Sequence, residues 1–219
     1  MATRQRILIV FLATLIGLPA LPFLPIHLLM LNLVTDGFPA LALGMEQAEP
    51  GIMDRPPRDP KEPIIHREMW AGIAVQSVLI CAATLGAFLL GLYVFPGELQ
   101  LASGGFNTVK ITHAQTFAFA TLVSAELLRA FTARSERASI FRLGLLSNKN
   151  MLWAVGSSLT ILLAIIYVPF LDPIFHTTFL SLQEWGILIP LALLPAVGAE
   201  ITKAVLRHKD SRQVQGTHT

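Results

Sequence analysis

Four oxygen-bearing side chains inside apolar stretches are the residues best suited to chemistry. Asn32, Thr35 and Asp36 lie in one stretch, and Glu126 lies in another. On a helix, Asn32 and Asp36 are four residues apart and Thr35 is three from Asn32, so an amide, a hydroxyl and a carboxylate share one face. These are hard oxygen ligands. Ca²⁺ prefers about six to eight of them, whereas Zn²⁺ prefers His and Cys, so the set favours calcium.

The helix that carries Asp36 is predicted to loosen directly after the carboxylate. Gly37 follows it, and Pro39 removes a backbone donor. A loosened turn would free backbone carbonyls as further ligands, as in membrane cation transporters.

The same side chains also have a structural interpretation. Asn32 and Thr35 could hydrogen-bond neighbouring helices, and Asp36 could lie close enough to the end of its span to stay hydrated. Arg129 follows Glu126 by three residues and could pair with it within one helical turn. Both interpretations stay open at this level.

The composition indicates a polytopic membrane protein. Of 219 residues, 53% are hydrophobic and 14% are charged, against about 25% charged in typical soluble proteins. The net charge of +2 comes from short connectors between apolar runs, which argues against nucleic acid as a partner. The single cysteine, Cys81, lies in an apolar run and is predicted to serve packing. The sequence has no Ser/His/Asp, Cys/His or HExxH arrangement and no Gly-rich phosphate loop.

Six apolar stretches approach the length of about 20 residues that crosses a bilayer. We therefore predict an all-α membrane protein with six transmembrane helices. The predicted spans are Ile7 to Leu18, Pro25 to Leu43, Met69 to Phe95, His113 to Phe131, Met151 to Leu171 and Trp185 to Leu206.

The basic residues predict the orientation of these spans. With the amino terminus inside, only Lys110 of the 16 Lys and Arg residues falls on the outer side. Because cytoplasmic connectors retain Lys and Arg, both termini are expected to be cytoplasmic.

Four regions follow from the spans. Residues 1–44 are predicted to form a helix hairpin with the cation-ligand motif, and 45–68 a stiff, Pro-rich cytoplasmic loop. Residues 69–207 form a four-helix membrane portion, and 208–219 a disordered tail.

Two further polar residues receive structural predictions. His27 is expected to cap a loop carbonyl near the outer turn. Glu200 is expected to pair with Lys203, three residues later, near the end of a span.

The segment Asn32-Leu33-Val34-Thr35-Asp36-Gly37-Phe38-Pro39 and the loop Ile52-Met53-Asp54-Arg55-Pro56-Pro57-Arg58 resemble a known family. They are similar to the sixth transmembrane helix and the next cytoplasmic loop of calcium-transporting P-type ATPases. The six spans then look like helices five to ten of that ten-helix pump.

The resemblance implies roles for particular residues. Asn32, Thr35 and Asp36 match the family's cation ligands on helix six, and Glu126 matches the acidic ligand that some members carry on helix eight. The loop from Met45 to His66 would contact the phosphorylation domain and couple phosphorylation to gating.

The departures from the family pattern are specific. The Asn and Glu ligands of the family's fifth helix align with Thr3 and Arg6, which are not ligands. The DKTGT motif, the TGE loop, the nucleotide domain and helix four are absent from these 219 residues. Because phosphoryl transfer needs an acceptor aspartate and a positioned nucleotide with magnesium, we expect no ATPase activity from this chain alone. Mg²⁺ and ATP would be bound only through the missing domains.

Two functions remain open on the sequence. The first is the carboxy-terminal membrane part of a P-type cation pump, with Ca²⁺ as the transported ion. Its partners would be the lipid bilayer, the cation and the amino-terminal or catalytic part of the pump, in the plasma membrane. The alternative is a self-standing membrane binding or regulatory subunit, or a relic without transport activity.

Overall fold

In the computed structural model of the chain, residues 2–45, 67–94, 108–134 and 148–216 are described, and their regular structure is entirely helical. This confirms the all-α fold class for that part of the chain. The elements are α1 (Ala2–Leu15), α2 (Pro25–Met30), a π-helical segment (Leu31–Asp36), α3 (Gly37–Gly44), α4 (Arg67–Tyr93), α5 (Thr108–Thr132), α6 (Lys149–Tyr167), α7 (Asp172–Phe175) and α8 (Leu182–Gly216).

A short turn joins α1 to α2 in the amino-terminal part of the chain. The first helix ends in a left-handed glycine, Gly17, at φ 72°. The amide of Leu18 donates to the carbonyl of Ala13 at 3.0 Å, and that of Gly17 donates to Thr14 at 3.1 Å. These two bonds form a Schellman cap, which glycine accommodates without steric cost. Pro25 then begins α2, where its missing N–H is not needed.

Helices α4, α5 and α8 pack against one another, and α5 is the most enclosed of them. The closest backbone approach joins α4 to α5 at Gly91. A β-carbon added there would lie 2.7 Å from the Cα of Ala114. At Gly86, also on α4, an added β-carbon would meet nothing within 4 Å.

Four described helical stretches are long and apolar enough to cross a membrane, namely Pro25–Gly44, Gly72–Tyr93, Lys149–Tyr167 and Leu182–Val205. Each of them matches a predicted span. The apolar part of α1, Gln5–Leu15, is shorter than a full span. Helix α5 has 25 residues but carries polar side chains, five of which are buried. A helix surrounded by protein does not need a lipid-like surface, which explains why α5 differs from the four apolar stretches.

The Pro-rich loop and the carboxy-terminal tail are the two polar regions that the sequence predicts. Most of the Pro-rich loop, residues 46–66, lies outside the described residues. The last helix, α8, continues to Gly216 and so enters the stretch 208–219 for which the sequence predicts a disordered tail.

Candidate functional site

The helix that carries the predicted ligands changes its winding at those ligands. Residues Leu31–Asp36 form a π-helical segment between α2 and α3. Pro39 lies five residues after Val34, which is the spacing of a π-helical hydrogen bond, but its ring nitrogen carries no hydrogen. The carbonyl of Val34 accepts instead from the hydroxyl of Ser158 on α6, at 3.1 Å. The loosening therefore lies at residues 31–36 and not directly after Asp36 as predicted, since regular α-helix resumes at Gly37. The carbonyl that it frees is bound by a neighbouring helix.

A guanidinium group lies against two of the four candidate ligands. The Nη2 atom of Arg6 is 3.1 Å from the Oδ2 atom of Asp36. The Nη1 atom of Arg6 donates to the Oδ1 atom of Asn32. The Arg6 side chain is 4% exposed and that of Asp36 is 34% exposed. The amide and the carboxylate thus share one face, as predicted, and both contact a positive charge from α1.

Neighbouring contacts with α4 hold Arg6 in this position. The Nε2 atom of Gln5 donates to the hydroxyl of Ser77 at 3.1 Å. The thiol of Cys81 lies 3.8 Å from the carbonyl of Gln5, and Cys81 is buried as predicted. Because these contacts fix the turn of α1 before Arg6, the guanidinium is directed toward the π segment.

Thr35 does not join Asn32 and Asp36 at the guanidinium. It is 4% exposed, and its hydroxyl donates to the carbonyl of Leu31 in the same helix, at 2.5 Å. The predicted trio is therefore divided, with two members on Arg6 and one turned to its own backbone.

Glu126 is buried in α5 and is paired with Arg129. Its Oε2 atom accepts from Nη2 of Arg129 at 2.8 Å and from Nε at 3.1 Å. This confirms the ion pair that the three-residue spacing predicts. The Oε1 atom of Glu126 is also buried and has no hydrogen-bond partner among the described residues. One carboxylate oxygen thus remains available to a further donor or cation.

A mainly apolar crevice of about 460 Å³ borders Arg6 and Asn32. Its other walls come from α1 and α2 and include Val10, Phe11 and Leu28. The polar end of the crevice is therefore the place where the guanidinium meets the amide.

Polar contacts on other helices have structural roles. The Nε2 atom of His27 lies 2.7 Å from the carbonyl of Phe175, and its ring stacks on Phe119 with 4.6 Å between centroids. The predicted contact with a backbone carbonyl is present, but the carbonyl belongs to the last residue of the short helix α7 and not to a loop. Lys203 lies 3.3 Å from Glu200, which confirms that pair, and Lys203 also donates to the carbonyl of Thr132.

The sequence interpretation missed the pair of His113 and Glu184. Their Nε2 and Oε1 atoms are 2.6 Å apart and connect α5 to the start of α8. Ser181 donates its amide and hydroxyl to Oε2 of Glu184, at 2.6 and 2.8 Å, and its hydroxyl oxygen faces the Glu184 amide at 3.4 Å. Ser181 and Glu184 form a capping box, so the S-x-x-E spacing was the signal available for this helix start.

The arrangement contains oxygen atoms of the kind that bind hard cations. It also contains a positive charge of its own, the guanidinium of Arg6. Within the described residues, no group of three or more His, Cys, Asp or Glu side chains could hold a metal ion. Asn32 and Asp36 present side-chain oxygens at one place, and Glu126 has one buried oxygen in α5 without a hydrogen-bond partner among the described residues. Any metal site would thus need amide, hydroxyl, backbone or further protein oxygens to complete its coordination shell.

Apolar helices that enclose paired charges define a multi-pass membrane protein. The family model described as "Cation transporting ATPase, C-terminus" matches residues 20–205. The chain belongs to this family, the carboxy-terminal region of P-type cation ATPases.

Several curated proteins that are similar to this chain are named calcium-transporting ATPases. A calcium-transporting ATPase of Bacillus subtilis is 40% identical over 190 residues, which are 87% of this chain and 20% of that protein. Calcium-transporting ATPase 1 of Bacillus cereus is 34% identical over 201 residues, or 90% of this chain and 22% of the relative. The human calcium-transporting ATPase type 2C member 1 is 31% identical over 205 residues, or 94% and 21%. The chain therefore spans about a fifth of the length of these relatives.

Proposed function

We propose that this chain is the carboxy-terminal membrane part of a P-type calcium pump and supplies part of its intramembrane cation site. Asn32, Thr35, Asp36 and Glu126 would provide the oxygen ligands. The catalytic domains of the same pump would bind Mg²⁺ and ATP. Transport then requires the chain to be joined to those domains.

The observation that carries this proposal is the convergence of Asn32 and Asp36 on one cationic group. Arg6 contacts both residues, so their oxygens already point to a common place where positive charge is stabilised. The π segment supports this role, because such turns occur frequently at functional sites. Glu126 contributes a buried oxygen without a partner among the described residues.

The proposal includes six transmembrane helices with both termini in the cytoplasm of a cell whose plasma membrane holds the pump. The four apolar helical stretches support four of these spans. Helices α1 and α5 would supply the other two. The enclosed position of α5 explains how it could cross the bilayer with a polar surface.

A chimeric pump tests this function. The chain would replace the matching carboxy-terminal region of the Bacillus subtilis relative, and ATP-driven uptake of radioactive calcium into membrane vesicles would be measured. We expect uptake that is lost in Asp36→Asn, because an amide cannot neutralise a divalent cation. Asp172→Asn, the same chemical change at the start of α7, serves as the matched control and should retain uptake.

Two results would contradict the proposal. One is a chimera that inserts and hydrolyses ATP but takes up no calcium. The other is an active chimera whose uptake and apparent calcium affinity are unchanged by Asp36→Asn. The level of inserted protein, measured on the same vesicles, separates a transport defect from a folding defect.

A second candidate is a self-standing membrane binding or regulatory subunit. The ion pair of Arg6 and Asp36 favours it, since this contact balances the carboxylate without any bound cation. Expression in a host that lacks related pumps tests it. A monodisperse, helical and long-lived protein would support this candidate, and rapid degradation would argue against it.

A further inference from the structure

We propose that Arg6 is a resident cation of the Asn32–Asp36 pair, so that calcium binds these residues only when the guanidinium withdraws. This inference rests on the proposed function, because it assigns Asn32 and Asp36 to the cation site. It adds a residue that the family resemblance did not provide. At the aligned position the family has a carboxylate ligand, and here a positive charge lies at the site instead.

The contacts of Arg6 are those that a bound cation would make. One guanidinium nitrogen contacts the Asp36 carboxylate and another contacts the amide oxygen of Asn32. Both oxygens are therefore engaged by the same positive group. A metal ion needs their lone pairs directly, so it has to compete with Arg6 for them.

The charge balance makes this competition strong. Arg6 and Asp36 together are neutral, so a divalent ion that took the Asp36 carboxylate would leave an uncompensated guanidinium a few ångströms away. Arginine is a permanent cation in proteins, so the positive charge stays at the site for as long as the side chain does. Only movement of the side chain or of α1 can open the pair to calcium.

The structure also has space for such a movement. The crevice of about 460 Å³ begins at Arg6 and Asn32 and extends along α1. A guanidinium that swings into the crevice would leave Asn32 and Asp36 available to the ion. In the cation-free state, the group that neutralises Asp36 would then be Arg6.

Equilibrium dialysis of the purified full chain in detergent, with radioactive calcium as the probe, tests the inference. We expect the wild-type chain to show no saturable binding that depends on Asp36. Arg6→Gln should bind calcium at least about tenfold more tightly, because a repelling charge next to a divalent ion is removed. The gain should disappear in the double variant Arg6→Gln/Asp36→Asn.

Matched variants distinguish the proposed mechanism from general effects of charge. Arg6→Lys keeps the positive charge and should bind as weakly as the wild type. Lys203→Gln removes a different buried positive charge, in α8, and should produce no gain. Circular dichroism and size-exclusion chromatography check folding, and Arg6→Met is the alternative neutral variant if Arg6→Gln aggregates.

Several outcomes would overturn the inference. The inference fails if the wild-type chain binds calcium saturably and Asp36→Asn abolishes that binding, and this outcome does not depend on whether the Arg6 variants fold. The absence of any gain in folded Arg6→Gln or Arg6→Met, or an equal gain in Lys203→Gln, would also overturn it. If the binding assay fails while the chimeric pump transports calcium, only the proposed role of Arg6 is wrong. If Arg6→Gln gains calcium binding that depends on Asp36 while the chimeric pump is inactive, the pump function is wrong and the role of Arg6 stands.

Discussion

Arg6 on α1 and Asp36 at the end of the π segment form an ion pair, with 3.1 Å between Nη2 and Oδ2. The two residues lie in different helices, and the pair brings the first two apolar segments of the chain together. A side chain predicted to lie just before the first span is therefore nearly fully buried. We expect this pair to stabilise the contact between the two helices, and under the proposed function it also controls the access of a cation to Asp36.

Removing Arg6 alone should destabilise the chain more than removing both charges. Arg6→Gln leaves the Asp36 carboxylate without its partner, at an expected cost of about 1 to 3 kcal/mol, reduced because Asp36 is partly exposed. The double variant Arg6→Gln/Asp36→Asn should recover most of that loss. Thermal unfolding in detergent, followed by circular dichroism without calcium, measures both. Equal losses in the single and double variants would show that the pair has no such asymmetry.

The pair of Glu126 and Arg129 predicts a larger effect. The Glu126 side chain is 2% exposed, so Arg129→Met should leave a buried charge unpaired and cost about 3 to 5 kcal/mol. Glu126→Gln/Arg129→Met should be markedly more stable than Arg129→Met. A double-mutant cycle from unfolding midpoints checks this. Additive effects of the two substitutions would contradict the predicted coupling.

The hydrogen bond from Ser158 to the carbonyl of Val34 should stabilise the π segment. Ser158→Ala leaves that carbonyl without its side-chain donor and should cost about 1 to 3 kcal/mol. Ser157→Ala is the matched control, because the hydroxyl of Ser157 donates to the Ala154 carbonyl of its own helix, at 3.0 Å. Unfolding midpoints of the two variants test the difference. A Ser158→Ala midpoint as high as that of the control would show that the bond contributes little.

Two glycines of α4 should respond in opposite directions to alanine. Gly91→Ala places a methyl group 2.7 Å from the Cα of Ala114 and has to push α4 and α5 apart, at a cost of about 1 to 3 kcal/mol. Gly86→Ala meets nothing within 4 Å and should stabilise the helix by about 0.5 to 1 kcal/mol. Thermal unfolding of both variants measures the contrast. Destabilisation by Gly86→Ala, or tolerance of Gly91→Ala, would mean that the helices pack differently.

Local features of this molecule were predictable because the interacting residues are close in the chain. The apolar stretches became helices, and the three-residue spacings of Glu126 with Arg129 and Glu200 with Lys203 became ion pairs. The resemblance was confirmed by the match of residues 20–205 to the cation-transporting ATPase family and by relatives named calcium-transporting ATPases. In each case, composition, helical periodicity or a contiguous motif carried the information.

Part of the candidate site was predictable in the same way. Asn32 and Asp36 share a face because a helix brings residues four apart together, and the π segment keeps them close enough to contact one guanidinium. Thr35 departs from the prediction, because its hydroxyl satisfies its own backbone at Leu31 instead of pointing to the shared face. The roles of these residues and of Glu126 as cation ligands stay a prediction that the chimera tests.

The sequence by itself determined the helices, the family and the candidate oxygen ligands, since these depend on local order and composition. Only the tertiary structure decided that Arg6 meets Asp36, that His113 meets Glu184 and that polar α5 lies among other helices. Each of these depends on how helices far apart in the chain pack together. The number of residues between two helices does not determine the distance between them in space. The partner of a buried charge therefore depends on how the helices pack.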